Sequence, residues 1–353
     1  MKKIILTGGG TSGHVTPNIA LLEKLSKKYE VHYIGTNDGI EKQLMSQEDV
    51  IYHTVKAGKL RRYFSLKNFS DLFKILGGFI KSVVLIRKIK PSAVFSKGGF
   101  VTCPVVWGAW INQVPVILHE SDYTPGLANK LAMPFAKNIC YSFPETERYL
   151  PKEKSIMTGL PVRNLLEAGN KEAGLKYCGF NNEKPVIAVF GGSTGSVFIN
   201  ETIRSLLDEL LKTFQICHVC GKDKLDRDFD NIQGYKQFEY IDNELKDVYG
   251  MADVLIVRGG ATTLFELLML KKPHIIIPLS RKASRGDQIL NAKSFGTQGF
   301  SQSIEEEEIT KEKILELIEM TYGNRQKYIG AMESAECTNA VDKVIEVIES
   351  NMK

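Results

Sequence analysis

The chain has no run of about 18 uncharged apolar residues, the length that a membrane-crossing helix needs, so none is expected. The first residues read as a strand without the apolar stretch of a secretory signal, and the expectation is a protein that stays in the cytoplasm. Cysteine is sparse: Cys103, Cys140, Cys178, Cys217, Cys220 and Cys337 are scattered as in a reducing compartment. Cys217 and Cys220 form C-x-x-C, but a zinc site needs a second ligand pair at suitable spacing, and none is present. Small side chains in a strand ending at Gly221 are the plainer reading. No stretch matches G-x-x-x-x-G-K-[ST], which argues against a phosphate-splitting P-loop. Asp226, Asp228 and Asp230 alternate but lack the glycine and closing glutamate of a calcium loop, and read as a solvated connection. Neither solenoid-period repeats nor low-complexity segments occur.

What is present is 353 residues, 43% of them hydrophobic, a length that suggests two domains. The net charge of +5 conceals an asymmetry. Residues 1–160 hold 22 Lys and Arg against 12 Asp and Glu, and residues 161–353 hold 24 against 29. A basic half points toward a polyanion or an anionic surface. β-rich runs at 3–7, 31–35, 93–95, 115–118 and 138–141 alternate with helical patterns near 17–28, 39–47, 66–89, 101–112 and 125–135. The scheme restarts after Gly159–Arg163, with strands at 186–190, 215–219, 237–240, 254–257 and 274–277. Helices follow near 196–212, 243–250, 261–270 and 286–295. Such alternation predicts parallel sheets covered on both faces. The expected fold class is α/β, two Rossmann-like doubly wound domains over 1–162 and 163–337. Glu305–Glu308 reads as a solvated loop. Helices near 310–321 and 324–331 precede a last one at 338–350, where Val341, Val344, Ile345 and Ile348 make one apolar stripe.

Three glycine loops each follow a strand and open a helix: Gly8–His14, Ser96–Phe100 and Gly191–Gly195. Glycine permits a tight turn, and the first amides of a helix can meet an anion. Turn-making alone explains any one loop; three together fit phosphates gripped from two sides, beyond the carboxyl ends of the strands. Gly8, Gly10 and Gly13 also satisfy G-x-G-x-x-G, a weak dinucleotide signal, with Asp38 as the candidate acid of a nicotinamide-dependent oxidoreductase. That alternative leaves the second half unexplained. His14 sets an imidazole where a substrate would arrive. His119-Glu120-Ser121-Asp122 ends another strand and reads as a polar site or as local capping. Arg163 suits an anion contact at the junction or plain solvent exposure. Glu266, after Arg258-Gly259-Gly260, is a carboxylate favoured by a helix N-terminus or an acceptor for ribose hydroxyls. Asp287-Gln288 offers a polar pair for sugar hydroxyls.

Residues 59–90 carry nine cations, Lys59, Arg61, Arg62, Lys67, Lys74, Lys81, Arg87, Lys88 and Lys90, and one acid, Asp71. Tyr63, Phe64, Leu66, Phe69, Leu72, Phe73 and a long aliphatic run lie between them. Cations flanking a wide apolar face suit an anionic membrane surface, and equally a core helix with a basic solvent side. Nucleic acid is not expected, because the aromatics are helical rather than set on a stacking sheet.

Taken as a set, Thr7–Pro17, Ser96–Pro104, His119–Glu120, Pro125–Lys130, Gly159–Arg163, Gly191–Gly195, Arg258–Glu266 and Asp287–Ala292 resemble the bacterial MurG glycosyltransferases. The resemblance runs in order through nearly the whole chain. It departs at Ser12, Asp122 and Asp287, where the family often has glycine, asparagine and glutamine. It implies two Rossmann-like domains facing across a cleft, the GT-B arrangement, with the last helix returning to the first domain. It further implies transfer of N-acetylglucosamine from UDP-GlcNAc to a lipid-linked muramoyl-pentapeptide. Donor binding would fall to Gly10, Thr11, Ser12, Arg163, Ser193, Ile241, Ala261, Thr262, Thr263, Leu264, Phe265, Glu266 and Gln288. Gly13, Gly98, Gly99 and Asn129 would hold the acceptor diphosphate, and segment 59–90 would seat the enzyme peripherally on the inner, cytoplasmic membrane face. His14 is the preferred general base, since an ordinary imidazole pKa of about 6.5 suits neutral pH, with Glu120 in reserve. No cofactor is required by the sequence and no metal site is seen in it, with room left for a divalent cation. A glycolipid synthase using another lipid acceptor is the alternative within the same fold.

Overall fold

A computed structural model describes residues 1–58, 67–336 and 340–353, with backbone alone over 67–73. Lys59, Arg61, Arg62, Tyr63, Phe64, Leu66 and Cys337 lie outside the described residues. The chain forms two units, Met1–Arg163 with Asn339–Lys353, and Asn164–Thr338.

The first unit contains β1 (Lys3–Thr7), β2 (Glu30–Gly35), β3 (Ile51–Thr54), β4 (Ala93–Ser96), β5 (Val116–Glu120), β6 (Asn138–Tyr141) and β7 (Ser155–Met157). They form one sheet in the order β3-β2-β1-β4-β5-β6-β7, every pair parallel. A parallel strand covered on both faces is apolar throughout, and Ile4, Ile5 and Leu6 of β1 are fully buried. Side chains alternate across the pleat. Ile4 and Leu6 therefore meet the helix Thr16–Leu25 on one face, while Ile5 meets Val105 and Val106 of the helix Thr102–Ile111 on the other. The last helix, Ala340–Ser350, lays Val341, Val344, Ile345 and Ile348 into the first of these clusters. Its Glu349 pairs with Lys28 (3.0 Å), and Asp342 pairs with Lys24.

The second unit contains β8 (Val186–Phe190), β9 (Gln215–Val219), β10 (Tyr235–Phe238), β11 (Val254–Val257), β12 (His274–Ile276) and β13 (Gln302–Ser303). Their order is β10-β9-β8-β11-β12-β13, again all parallel. Each sheet thus reverses its winding at one place, between β1 and β4 or between β8 and β11. In open α/β sheets ligands bind at such a switch point, beyond the carboxyl ends of the strands.

Several elements differ from expectation. β3, β7 and β13 are additional, and each is an edge strand with a single neighbour. β10 begins at Tyr235, two residues before the expected start, and a helix over Lys171–Cys178 is also new. The helix expected near 196–212 is two, Val197–Ser205 and Leu207–Thr213, meeting at Leu206.

Candidate active site

At the first switch point the loops after β1 and β4 interlock. The Gly9 amide donates to the Gly98 carbonyl (3.3 Å), and Lys97 continues the ladder by donating to Thr7 (2.9 Å). A side chain at Gly99 would collide with the Gly9 carbonyl, so only glycine permits this approach. From beneath, Tyr33 Oη donates to the Gly8 carbonyl (2.8 Å). His14 lies in a short 3-10 turn, Ser12–His14, and is half-buried. Its Nδ1 sits 3.1 Å from the Gly9 carbonyl and 3.2 Å from Thr11 Oγ1. A carbonyl can only accept, so Nδ1 carries the proton of the neutral ring and Nε2 is the basic nitrogen.

Sequence reasoning missed Glu41. Its carboxylate accepts from the amides of Gly10 (3.1 Å) and Thr36 (3.0 Å) and from Thr36 Oγ1 (2.5 Å). Burial pushes this carboxyl up, but these bonds, the Thr36 hydroxyl foremost, bring it below the usual range. The amide of Gly10, expected to meet the donor, is therefore committed to a carboxylate and cannot also hold an anion. The visible signal was only an acid in the first turn of a helix.

The loop after β5 corrects two further expectations. Glu120, the reserve base, is 4% exposed and accepts from the amides of Asp122 (3.0 Å) and Gly126 (3.0 Å) and from Asn129 Nδ2 (2.8 Å). Burial raises its pKa. Buried and holding three donors, it shapes the 121–129 loop and does not stand open as a base. Asn129 spends its other donor contact on the His119 carbonyl (3.2 Å), so only its Oδ1 remains, against Gly98. A diphosphate offers no proton to that oxygen, and Asn129 is not a phosphate donor. Fully buried Lys97, also missed, donates to Ser121 Oγ, and burial pushes its ammonium down to about 8 against the pull of Glu120 and Asp122. His119 is buried, with Nε2 2.9 Å from the Gly159 carbonyl, and burial holds it well below the usual histidine range. Gly13, Gly98 and Gly99 remain in the interlocked loops, with Thr11 exposed and Ser12 half-buried.

Arg163 closes the first unit. Its Nε is buried with no hydrogen-bond partner among the described residues, and its charge reaches Glu48.

At the second switch point Ser193 is exposed in the 191–195 loop, followed by the helix Val197–Ser205, whose cap Ser196 accepts from the Ile199 amide (3.2 Å). Arg258, at the end of β11, donates to Ser196 Oγ (2.5 Å) and to the carbonyls of Ile277 (3.1 Å) and Pro278 (3.3 Å). It also pairs with Glu306 at 2.6 Å, while Glu307 accepts from Ser280 (2.5 Å). The acidic run is thus not a purely solvated loop: two of its carboxylates brace the ends of β11 and β12. Along the helix Ala261–Met269, Leu264 and Phe265 are buried in the core, Phe265 edge-on to Phe295 at 5.6 Å. Their side chains do not cover a nucleotide. Ala261 is also buried, whereas Thr262 and Thr263 are half-exposed. Glu266, the sixth residue of that helix, lies past the first turn where the dipole acts, and accepts from Tyr249 Oη (3.3 Å). Ile241 is buried. Gln288 Oε1 accepts from the Leu279 amide (2.9 Å), which directs its Nε2 elsewhere, and Asp287 pairs with Arg285 (2.9 Å).

The Glycosyltransferase family 28 N-terminal domain matches residues 4–141, and the Glycosyltransferase family 28 C-terminal domain matches residues 186–348. A UDP-N-acetylglucosamine--N-acetylmuramyl-(pentapeptide) pyrophosphoryl-undecaprenol N-acetylglucosamine transferase of Clostridium tetani is 53% identical over 349 residues, 99% of this chain and 98% of that protein. The protein of the same name from Lachnospira eligens is 52% identical over 354 residues, 100% of both chains. The chain belongs to glycosyltransferase family 28, among its MurG members. The crystal structure of Acinetobacter baumannii MurG has the same fold, with a TM-score of 0.78 at 24% identity over 99% of this chain and 100% of that one. Within this family the oxidoreductase alternative is not favoured, and Asp38 is held by a hydrogen bond from its neighbour Asn37 (2.9 Å).

Proposed function

We propose that this transferase moves N-acetylglucosamine from UDP-GlcNAc to the 4-hydroxyl of undecaprenyl-diphospho-muramoyl-pentapeptide, with inversion, making the lipid-linked disaccharide precursor of peptidoglycan. The observation that carries the reading is the 53% identity, end to end, with a protein named for that transfer. In the second unit, Ser193, the 191–195 amides and the helix behind them hold the donor diphosphate. Glu266 accepts from the ribose hydroxyls, the Ile241 backbone reads the uracil edge, and Gln288 Nε2 donates to a sugar hydroxyl. Thr262 and Thr263 line the nucleotide. In the first unit, Gly13, Gly98 and Gly99 serve the acceptor diphosphate.

An inverting transfer is a single in-line attack by the acceptor hydroxyl on the anomeric carbon. His14 Nε2 takes the hydroxyl proton as the new C–O bond forms. The bond to UDP breaks as it does so, and the charge growing on the diphosphate is met by oriented amides.

The helix Lys67–Ile89 supports peripheral binding to the cytoplasmic face of the membrane. Ile75, Ser82, Ile86 and Ile89 are buried, while Leu76, Ile80 and Val84, spaced four apart, remain exposed at 53%, 56% and 63%. Lys74, Lys81, Arg87 and Lys88 are exposed on the same helix, and Trp110 and Ile111 end the neighbouring one exposed. No helix among the described residues is long and apolar enough to cross a membrane. An apolar stripe with flanking cations suits the anionic interface.

Incubation with labelled UDP-GlcNAc and either the muramoyl lipid or diacylglycerol tests the acceptor. Label on the muramoyl lipid alone is expected; label on diacylglycerol alone would establish the glycolipid-synthase alternative.

A further inference from the structure

Glu41 touches no reacting group in this transfer, yet it is 1% exposed and lies directly beneath the first glycine loop. A Cβ at Gly9 would fall 2.6 Å from its Cδ, so the absence of a side chain at Gly9 is what admits the carboxylate. The groups that meet it are donors: the Thr36 hydroxyl, its own amide, the Thr36 amide and the Gly10 amide. Gly10 is held at φ 87°. The peptide between Gly9 and Gly10 joins two contacts, because its N–H points to Glu41 and its carbonyl, that of Gly9, faces His14 Nδ1 (3.1 Å).

We propose that Glu41 is a positioning residue for His14, fixing the Gly9–Gly10 peptide so that the Gly9 carbonyl holds the ring proton on Nδ1 and leaves Nε2 to accept one. The inference rests on the reading of His14 as the base. A peptide plane is rigid, so its N–H and C=O turn together. If the N–H is released, the carbonyl swings away from Nδ1, and the ring gains freedom to place its proton on Nε2, where it cannot act as a base. A carboxylate suits the task because it accepts from all of these donors at once. Glutamine would set an NH₂ against at least one of them.

The test is a cycle of Glu41→Gln and His14→Ala in the full chain, measured as labelled transfer at saturating donor and acceptor. Glu41→Gln is expected to lower kcat by about 10–100-fold, the scale of a small misplacement of a reacting group, with KM for UDP-GlcNAc unchanged. In the His14→Ala background the same substitution should have no further effect, because its target is gone. Equal losses in both backgrounds, or full activity of Glu41→Gln, would overturn the proposal. Should Glu41→Gln fail to fold by circular dichroism, Thr36→Val, which removes one donor and keeps the carboxylate, takes its place. Its smaller loss must likewise vanish without His14, and persistence there would refute the coupling. Wild-type turnover by His14→Ala would instead remove the base reading itself, an outcome distinct from additive losses in the cycle.

Discussion

His14 is held at Nδ1 by a backbone carbonyl, which can only accept, so Nε2 is the basic nitrogen of the neutral ring. His14→Ala should lower kcat by about 10²–10⁴-fold, the usual worth of a positioned base. A labelled-transfer assay checks this, and near wild-type turnover would assign the proton to another group. Two other histidines belong to stability. His218 is buried between Tyr235 Oη (2.9 Å) and Asn200 Oδ1 (3.0 Å), and burial pushes it down to about 3. His274 donates to the Lys272 carbonyl (2.8 Å) and is pushed by burial down to about 4. Below about pH 6.5 the unfolded chain protonates both while the folded chain does not, so the unfolded state binds more protons and folding stability falls with pH. Each group costs about 1.4 kcal/mol per pH unit from 6.5 down toward its folded value. Urea unfolding at pH 6.5 and 5.0 should show that loss, and His274→Gln should make the slope shallower; an unchanged slope would contradict the assignment.

At the scale of elements, the helix Lys67–Ile89 divides its apolar residues between a buried face and an exposed stripe. Replacing Leu76, Ile80 and Val84 with serine should weaken binding to anionic vesicles by about 10-fold or more, given roughly 25 cal/mol per Å² of apolar area, and leave the unfolding midpoint nearly unchanged. Sedimentation with vesicles measures the first, and unchanged binding would refute the membrane face. The sequence shows this helix and its cations plainly, but not which apolar residues face solvent, since the run is apolar nearly all round. The α/β alternation is equally legible, because central parallel strands such as Val254–Val257 are apolar end to end. Edge strands such as Ile51–Thr54 are not, since they pack on one neighbour and tolerate Tyr52 and His53. The glycine loops are visible because only glycine adopts their turns. What binds beneath them is not: Glu41 meets Gly10 across 31 residues and Arg258 meets Ser196 across 62. Nor does a one-dimensional reading tell that Asn129 has already used its donors, which is a property of the folded neighbourhood.

At the scale of the whole molecule, two doubly wound units each carry one switch point, with His14 at the first and the 191–195 loop at the second. The last helix belongs to the first unit by its packing, so chain ends far apart in sequence share one core. Ile348, fully buried in that cluster, should cost about 2–5 kcal/mol when truncated to alanine. Denaturant unfolding measures that loss, and a neutral effect would show that the helix does not complete the core. Purified protein is to be incubated with UDP-GlcNAc and undecaprenyl-diphospho-muramoyl-pentapeptide, and the product examined by mass spectrometry and NMR of the new anomeric centre. The expected result is one N-acetylglucosamine on the muramoyl 4-hydroxyl in the β configuration; no sugar transfer, attachment elsewhere, or a retained α anomer would contradict it.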